Sequence, residues 1–300
     1  MLYQNCRPSH WREVVGNVDT IKYLVAAAEN FQRPHAYLFA GPSGSGKTTL
    51  ARILARELGC AGSDLVEIDV GDYRGIDSVR EIRQIMHLRP MMSACRVWIL
   101  DEVQKMTSDA QAALLKALED TPPHAYFILA TTDPQKLLPT IVNRCTPCPV
   151  KTLDEKQMEK VLLRAARSVK FKLEKEAIES LIEIANGTPR TALVALEKHI
   201  ADPKAPLENL LESSKEVRDL CQCLLKKSPW KSAAKVLTLL KGKNTEEDIR
   251  RAVLGYAAAV RMKGSDDSQA LVILDIFKDP FYNSGWPGLI WACSLCLQRD

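Results

Sequence analysis

Gly41-Pro-Ser-Gly-Ser-Gly-Lys-Thr48 satisfies GxxxxGK[ST] in full, and no other stretch restricts the fold of this chain so tightly. The run follows an apolar segment, Ala36–Ala40 (AYLFA), and opens a segment, Lys47–Leu58, with helical apolar spacing. Strand, glycine loop and helix in that order form a phosphate cradle: the loop N–H groups converge on phosphate oxygens and the helix N-terminus adds its positive end. Gly41, Pro42, Ser43, Gly44, Ser45 and Gly46 form the loop, with Thr48 and Thr49 opening the helix. Lys47 is expected between the β- and γ-phosphates, and Thr48 to offer its hydroxyl to Mg2+. A chance glycine-rich turn before a lysine would not need the strand on one side and the helix on the other.

A second signal lies about fifty residues on. Val97-Trp-Ile-Leu-Asp101-Glu102 reads as an apolar strand ending in two carboxylates. Asp101 is expected to hold Mg2+ through water and Glu102 to orient and polarise an attacking water. Alone such a pair says little, since any strand exit can be acidic; behind a phosphate loop it points to hydrolysis as well as binding of a nucleoside triphosphate.

The surrounding pattern supplies the sheet. Ala36–Ala40, Leu65–Val70, Arg96–Leu100, Ala125–Ala130 and a weaker Thr146–Val150 read as strands, with helical spacing over Lys47–Leu58, Ile76–His87 and Ser108–Asp120 between the first four. Strands separated by helices of this length predict a parallel α/β sheet with crossover helices. After Val150 the pattern turns helical, over Glu155–Ala166, Glu174–Ala185 and Thr188–His199, and a proline-containing break follows at residues 202–206. Further helices are expected near Leu207–Leu225, Lys231–Leu240, Glu246–Met262 and Ser268–Phe277, with aromatic and apolar residues crowding Phe281–Trp291. The organisation is therefore an α/β domain over residues 1–151, a helical lid over 152–203 and an all-α domain over 204–300.

Composition excludes several classes. At 300 residues, 46% hydrophobic and 26% charged, the chain is neither disordered nor low in complexity. A formal charge of +4, from 41 Lys and Arg against 37 Asp and Glu, leaves any basic nucleic-acid surface to be local. No apolar run approaches the ~18 residues of a membrane span, and the opening residues lack the basic-then-apolar order of a secretory signal. The nine cysteines include two CxxC pairs, Cys145/Cys148 and Cys293/Cys296, almost half the chain apart, where zinc ribbons space theirs roughly 15–20 residues apart. Reduced core thiols, a cytoplasmic location and no zinc are the expectation.

The sequence resembles AAA+ ATPases of the clamp-loader branch, in particular the bacterial DNA polymerase III gamma/tau subunits and the small subunits of replication factor C. The resemblance covers about Arg7 to His199 at motif level and is architectural beyond. Cys6-Arg7-Pro8 and Val14-Val15-Gly16-Asn17 are similar to the segment that frames adenine in that family, which implies nucleotide contacts for Arg7 and Val15. Arg33–Phe39 resembles the entry to its first strand, and Ala130-Thr-Thr-Asp-Pro-Gln-Lys-Leu137 its sensor-1 segment, implying that Thr132 senses the γ-phosphate. Asn143-Arg144-Cys145 looks like the Ser-Arg-Cys motif with Asn for Ser, making Arg144 an arginine finger that acts in trans. Gly187-Thr-Pro-Arg190 resembles sensor 2, making Arg190 the cis arginine from the lid.

Two departures stand out. The four-cysteine module of gamma/tau proteins is missing between the phosphate loop and the second strand, and Gly71-Asp-Tyr-Arg-Gly-Ile-Asp77 through Arg80 resembles replication factor C instead. The mixed signature in a chain of this length fits a compact loader, such as a bacteriophage encodes. The resemblance implies ATP and Mg2+ as cofactors, and as partners other loader subunits in a pentameric assembly, a sliding clamp and primer–template DNA, with no membrane. Arg80 and Arg83 share a helix face, and with Lys105 and Lys116 they are candidate phosphate contacts along DNA. Ile85, Met86, Leu88, Met91 and Met92 form a candidate clamp-facing patch, and the C-terminal helices a collar. Two alternatives remain. Another AAA+ DNA motor or replication initiator would not need the Thr-Thr-Asp-Pro-Gln-Lys string, and a non-catalytic ATP-binding scaffold would not need the full set of charged residues.

Overall fold

In the strands, successive side chains point to opposite faces, and here both faces are apolar, as a sheet covered by helices on both sides requires. β1 (Ala36–Ala40), β2 (Leu65–Asp69), β3 (Arg96–Asp101), β4 (Ala125–Thr131) and β5 (Thr146–Pro149) pair in parallel in the order β2-β3-β4-β1-β5. Leu38, Trp98, Leu100, Phe127 and Leu129 pack into one core and Tyr37, Phe39, Val97, Ile99 and Ile128 into the other. Trp98 stacks on Phe127 with ring centroids 5.2 Å apart, locking the two central strands on the first face. The strands lie where the sequence places them, to within a residue at each end.

The computed structural model describes residues 1–30, 32–71, 76–203, 212–242, 245–262, 268–281 and 284–298. They divide into two units, Met1–Asp202 and Pro203–Asp300. In the first, α1 (Leu2–Asn5), α2 (Val18–Glu29) and α3 (Lys47–Glu57) precede β2; α4 (Ile76–Ile85), α5 (Ser108–Glu119) and α6 (Pro139–Arg144) follow it. Leu24 from α2 and Leu50, Ala51 and Leu54 from α3 fill the second face, whereas Val79 and Ile82 from α4, Leu114 from α5 and Ile141 from α6 fill the first. Sequence spacing misses α1, α2 and α6. In α2 only Leu24 and Ala27 are buried while Val18 and Tyr23 are exposed, so its apolar residues do not mark a face. α1 and α6 have four and six residues, too few for any period to register.

Three lid helices complete the first unit: α7 (Glu155–Ser168), α8 (Lys175–Ala185) and α9 (Pro189–Ala201). A capping box starts α7, where Asp154 accepts from the Gln157 backbone N–H at 2.8 Å and Gln157 accepts in return from that of Asp154. Pro189 occupies the first turn of α9, where its missing N–H removes no helical bond.

The second unit is helical: α10 (Glu212–Leu225), α11 (Trp230–Leu240), α12 (Glu246–Met262), α13 (Ser268–Phe277) and α14 (Gly285–Gln298). Leu220, Leu237, Val253, Ile273, Phe277 and Leu289 share one core. Gln269, buried in it, donates to the carbonyls of Leu224 at 3.0 Å and Cys296 at 2.6 Å. The aromatic crowding around Phe281–Trp291 resolves into the start of α14, with Phe281 edge-on to Phe277 and Trp291 exposed. Cys145 and Cys148 belong to the first unit and Cys293 and Cys296 to the second, and all nine cysteines are free thiols. Burial pushes Cys145, Cys148 and Cys221 up to about 12, so these thiols stay protonated and unreactive at neutral pH. Among the described residues no helix is long and apolar enough to cross a membrane.

One buried ion pair fixes the approach to β3. Asp64 is fully buried and accepts from the backbone N–H groups of Met91, Met92 and Ser93 at 2.8–3.0 Å and from Arg96 at 3.1 Å. Arg96 in turn donates to the carbonyl of Ile85, so one carboxylate ties the loop after α4 to the strand that ends in Asp101. Burial raises the Asp64 pKa, but the hydrogen bonds from Met91 and Met92, the Arg96 guanidinium and the Ser93 N–H outweigh it and lower it from 3.8 to about 2. Removing one partner of a buried pair typically costs ~3–5 kcal/mol, because the other is left uncompensated. Asp64→Asn is therefore expected to destabilise the first unit by about 3 kcal/mol near neutral pH. Because the folded-state pKa is depressed, the contribution is complete above the unfolded value of 3.8 and fades as pH falls toward 2. Urea denaturation of both proteins across that range should show the gap closing on the acid side.

Candidate nucleotide-binding site

The carboxyl ends of β1, β3 and β4 lie side by side, because the register sets Ala40 opposite Thr131 and Leu100 opposite Leu129. This edge of an open parallel sheet is where ligands bind in such folds. Gly44 and Gly46 take left-handed φ values of +71° and +106°, turning the chain from β1 into α3 so that Lys47 and Thr48 open the helix. Gly44 also needs to lack a side chain. A Cβ there would lie 2.8 Å from Thr188 Cγ2 and 3.0 Å from Arg190 Cβ, so the lid closes directly onto the loop.

Lys47 is 7% exposed, and its ammonium donates to the carbonyls of Gly41 at 2.9 Å and Pro42 at 2.8 Å. Burial pulls its pKa below the ordinary lysine value, with Asp101 and Glu102 acting the other way. A desolvated ammonium whose remaining N–H has a cavity beside it is the donor that a phosphate would satisfy. Thr48 Oγ1 donates to Asp101 Oδ2 at 2.5 Å, and Asp101 Oδ1 accepts the Glu102 backbone N–H at 2.9 Å. The hydroxyl and carboxylate thus form a hard oxygen pair at the cavity floor, a donor set that suits Mg2+ with water completing its shell. The residues present fit a magnesium–nucleotide.

Glu102 sits in the left-handed region at φ +56°, a costly conformation for a side-chain-bearing residue and one that concentrates at functional sites. Its carboxylate is ion-paired to Lys105, three residues on. Gln104, between them, is the residue that sequence reasoning missed. Its Oε1 accepts from Thr131 Oγ1 at 2.8 Å and its Nε2 donates to Thr132 Oγ1 at 3.1 Å, bridging the turn after β3 to the end of β4. A polar residue two positions beyond a carboxylate pair was the available signal, and it is a weak one.

A cavity of about 520 Å3 gathers most of the residues singled out from sequence: Arg7, Val15, Ser43, Gly44, Ser45, Gly46, Lys47, Thr48, Thr49, Asp101, Glu102, Thr132 and Arg190. That volume is in the range of cofactor sites. Gly41 and Pro42 lie behind it, contributing the carbonyls that hold Lys47. Tyr3, Glu13, Val161 and Arg164 also line it and carry no motif of their own. Arg164 on α7 donates to the Glu13 carbonyl at 2.7 Å, joining the lid to the segment before α2.

Other candidates fall elsewhere. Arg144 ends α6 outside this cavity, 48% exposed, and pairs with Glu119 at 2.7 Å. Arg80 pairs with Asp77 at 3.1 Å and Arg83 with Asp120 at 3.9 Å, and Lys116 is exposed on α5. Met86 corrects the proposed clamp-facing patch: it is fully buried in the core under α4 and cannot meet a partner. Helical rotation places Ile85 outside while Met86 turns in, and Leu88, Met91 and Met92 are exposed at 59%, 81% and 80%. Of the string that resembles replication factor C, residues 72–75 lie outside the described residues.

Residues 62–154 match the family described as "DNA polymerase III, delta subunit". The chain is 36% identical over 223 residues to the gamma/tau subunit of DNA polymerase III from Mycobacterium tuberculosis, covering 67% of this chain and 39% of that protein. It is 33% identical over 221 residues to the tau subunit from Bacillus subtilis, with the same shares covered. It thus spans about two-fifths of the length of these curated relatives. Among solved structures, the Thermotoga maritima RuvB Holliday junction branch migration motor superposes with a TM-score of 0.57 at 23% identity, over 74% of this chain and 78% of that one. That likeness is one of fold, a parallel P-loop sheet flanked by helices. With the fold shared and about a third of the aligned residues common to gamma/tau subunits over two-thirds of its length, the chain is a clamp-loader-like AAA+ protein.

Proposed function

We propose that the chain is the ATPase subunit of a DNA sliding-clamp loader. The observation that carries the ATPase is the 2.5 Å contact of Thr48 with Asp101 beside a buried, desolvated Lys47. Thr48 and Asp101 would hold Mg2+ there, and the ion would supply positive charge against the charge developing on the transferred phosphate. Lys47 binds the β- and γ-phosphate oxygens from the loop side, and the adenine edge rests near Arg7 and Val15. Glu102 takes the proton of the attacking water once it leaves Lys105, and Thr132, held by Gln104, hydrogen-bonds the γ-phosphate. Arg190 reaches the nucleotide from the lid of its own chain.

Arg144 acts on the nucleotide of a neighbouring subunit. In support, it is half exposed and lies outside the cavity of its own chain. The sheet domain over residues 1–151, the lid over 152–203 and the collar over 204–300 then divide the work into binding, closing and assembly. ATP binding draws a pentameric ring of subunits into a form that opens the clamp and grips primer–template DNA, and hydrolysis releases the clamp. Arg80, Arg83, Lys105 and Lys116 would track DNA phosphates, and Ile85, Leu88, Met91 and Met92 would face the clamp.

Arg144→Ala is expected to leave ATP affinity within about twofold while turnover in the assembled loader falls ~10³-fold or more, the usual worth of such a finger. An equal loss of affinity would count against action in trans. Steady-state hydrolysis by the chain assembled with its neighbouring replication subunits tests the loader itself. Primed-junction DNA should stimulate turnover, and a sliding clamp should raise it further. Preference for branched or single-stranded DNA would favour the motor reading that the RuvB-like fold keeps open.

A further inference from the structure

Arg190 is unusual among the arginines of this site in what holds it. Arg52 and Arg164, which also line the cavity, pair with the carboxylates of Glu67 and Glu13. Arg190 instead lies over an aromatic face, with its guanidinium carbon 5.2 Å from the centroid of the Tyr3 ring, and among the described residues no carboxylate pairs with it. Tyr3 and Arg190 both line the nucleotide cavity. Tyr3 is carried by α1, which is fastened to α9: Leu2 is 5% exposed and its backbone N–H donates to Glu197 Oε1 at 3.0 Å. The backbone of Arg190 is fixed separately, in the first turn of α9 against Gly44.

The two kinds of partner differ in what they leave available. A carboxylate takes the N–H fork of a guanidinium, the same donors that a phosphate needs. An aromatic face attracts the cation through its π density and leaves those in-plane N–H groups unspent. It also restricts a long side chain before the ligand arrives, so less ordering remains for the binding step.

We propose that Tyr3 is a positioning residue for Arg190, its ring holding the guanidinium at the cavity edge with the N–H donors kept for the terminal phosphate of the nucleotide. The proposal rests on the reading of Arg190 as the cis arginine of the site. α1 then belongs to the nucleotide machinery although it has no phosphate-binding residue of its own.

Calorimetric affinities for Mg2+ with a non-hydrolysable ATP analogue, and with ADP, test this on the full chain. Tyr3→Leu, which keeps an apolar side chain but no π face, should weaken the triphosphate analogue about threefold to fivefold, as expected for a partly exposed contact of this kind, and leave ADP within error. Tyr3→Phe should rescue the triphosphate affinity, and progressive ring fluorination in that variant should erode it in step with the lost π density. In an Arg190→Ala background, Tyr3→Leu should cost nothing more. Equal losses for ADP and the triphosphate, or a loss that persists without Arg190, would assign Tyr3 a packing role and overturn the proposal. If Tyr3→Leu does not fold, the fluorination series alone decides, and a flat series overturns it. Arg190→Ala with unchanged triphosphate affinity would instead remove the reading of Arg190 beneath it, a distinct outcome from a silent Tyr3.

Discussion

The contact between Thr48 and Asp101 depends on a fact of sheet order. β1 and β3 are not neighbours; β4 lies between them, so the loop leaving β1 and the carboxylate ending β3 must meet across the end of a third strand. Parallel strands sit roughly 4.8 Å apart, so the span is about 10 Å, which the first turn of α3 covers. The intervening strand is therefore never silent. Its last residue, Thr131, and Thr132 just beyond it lie between these two elements, and Gln104 binds both to the β3 side. The end of β4 is thereby set between the phosphate loop and the acidic end of β3, whatever it does there.

Such an edge must also stay rigid while its groups remain partly unsatisfied. Lys47 is buried with its ammonium on two backbone carbonyls, and Glu102 is held in a left-handed conformation. Both are costly alone, and both are tolerated because the strands beneath are packed by apolar side chains on two faces. The Asp64–Arg96 pair belongs to the same economy: it ties the loop after α4 to β3 at the end opposite the site, fixing the strand without crowding its functional end.

The phosphate loop, the acidic strand end and the strand ladder were legible because each depends on local pattern: glycines where φ is positive, carboxylates at a strand exit, short apolar runs bounded by turns and helices. The three lid helices were legible for the same reason, since their apolar spacing is strong. What sequence could not give was decided in three dimensions. Met86 looks like its neighbours Ile85 and Leu88, and only the rotation of α4 against the sheet puts it in the core. Gln104 acquires its meaning from residues more than twenty-five positions away. The N-terminal segment had a family resemblance at Arg7 and Val15, whereas Tyr3, four residues earlier, has significance only through a helix almost two hundred residues later.

Charge partners separate the arginines by role more clearly than their sequence motifs do. Arg96 is spent wholly on structure, on Asp64 and on backbone carbonyls. Arg144 pairs with an exposed carboxylate, an interaction worth at most ~1 kcal/mol and readily exchanged for a stronger anion. Arg190 rests on a ring that does not compete for its donors at all. A buried pair resists exchange because breaking it strands a charge, an exposed pair permits it, and a π contact makes exchange unnecessary. Under the proposed roles, the sequence of partners, from carboxylate in the core to carboxylate at the surface to aromatic face at the cavity, follows how far each cation would have to be free for an incoming phosphate.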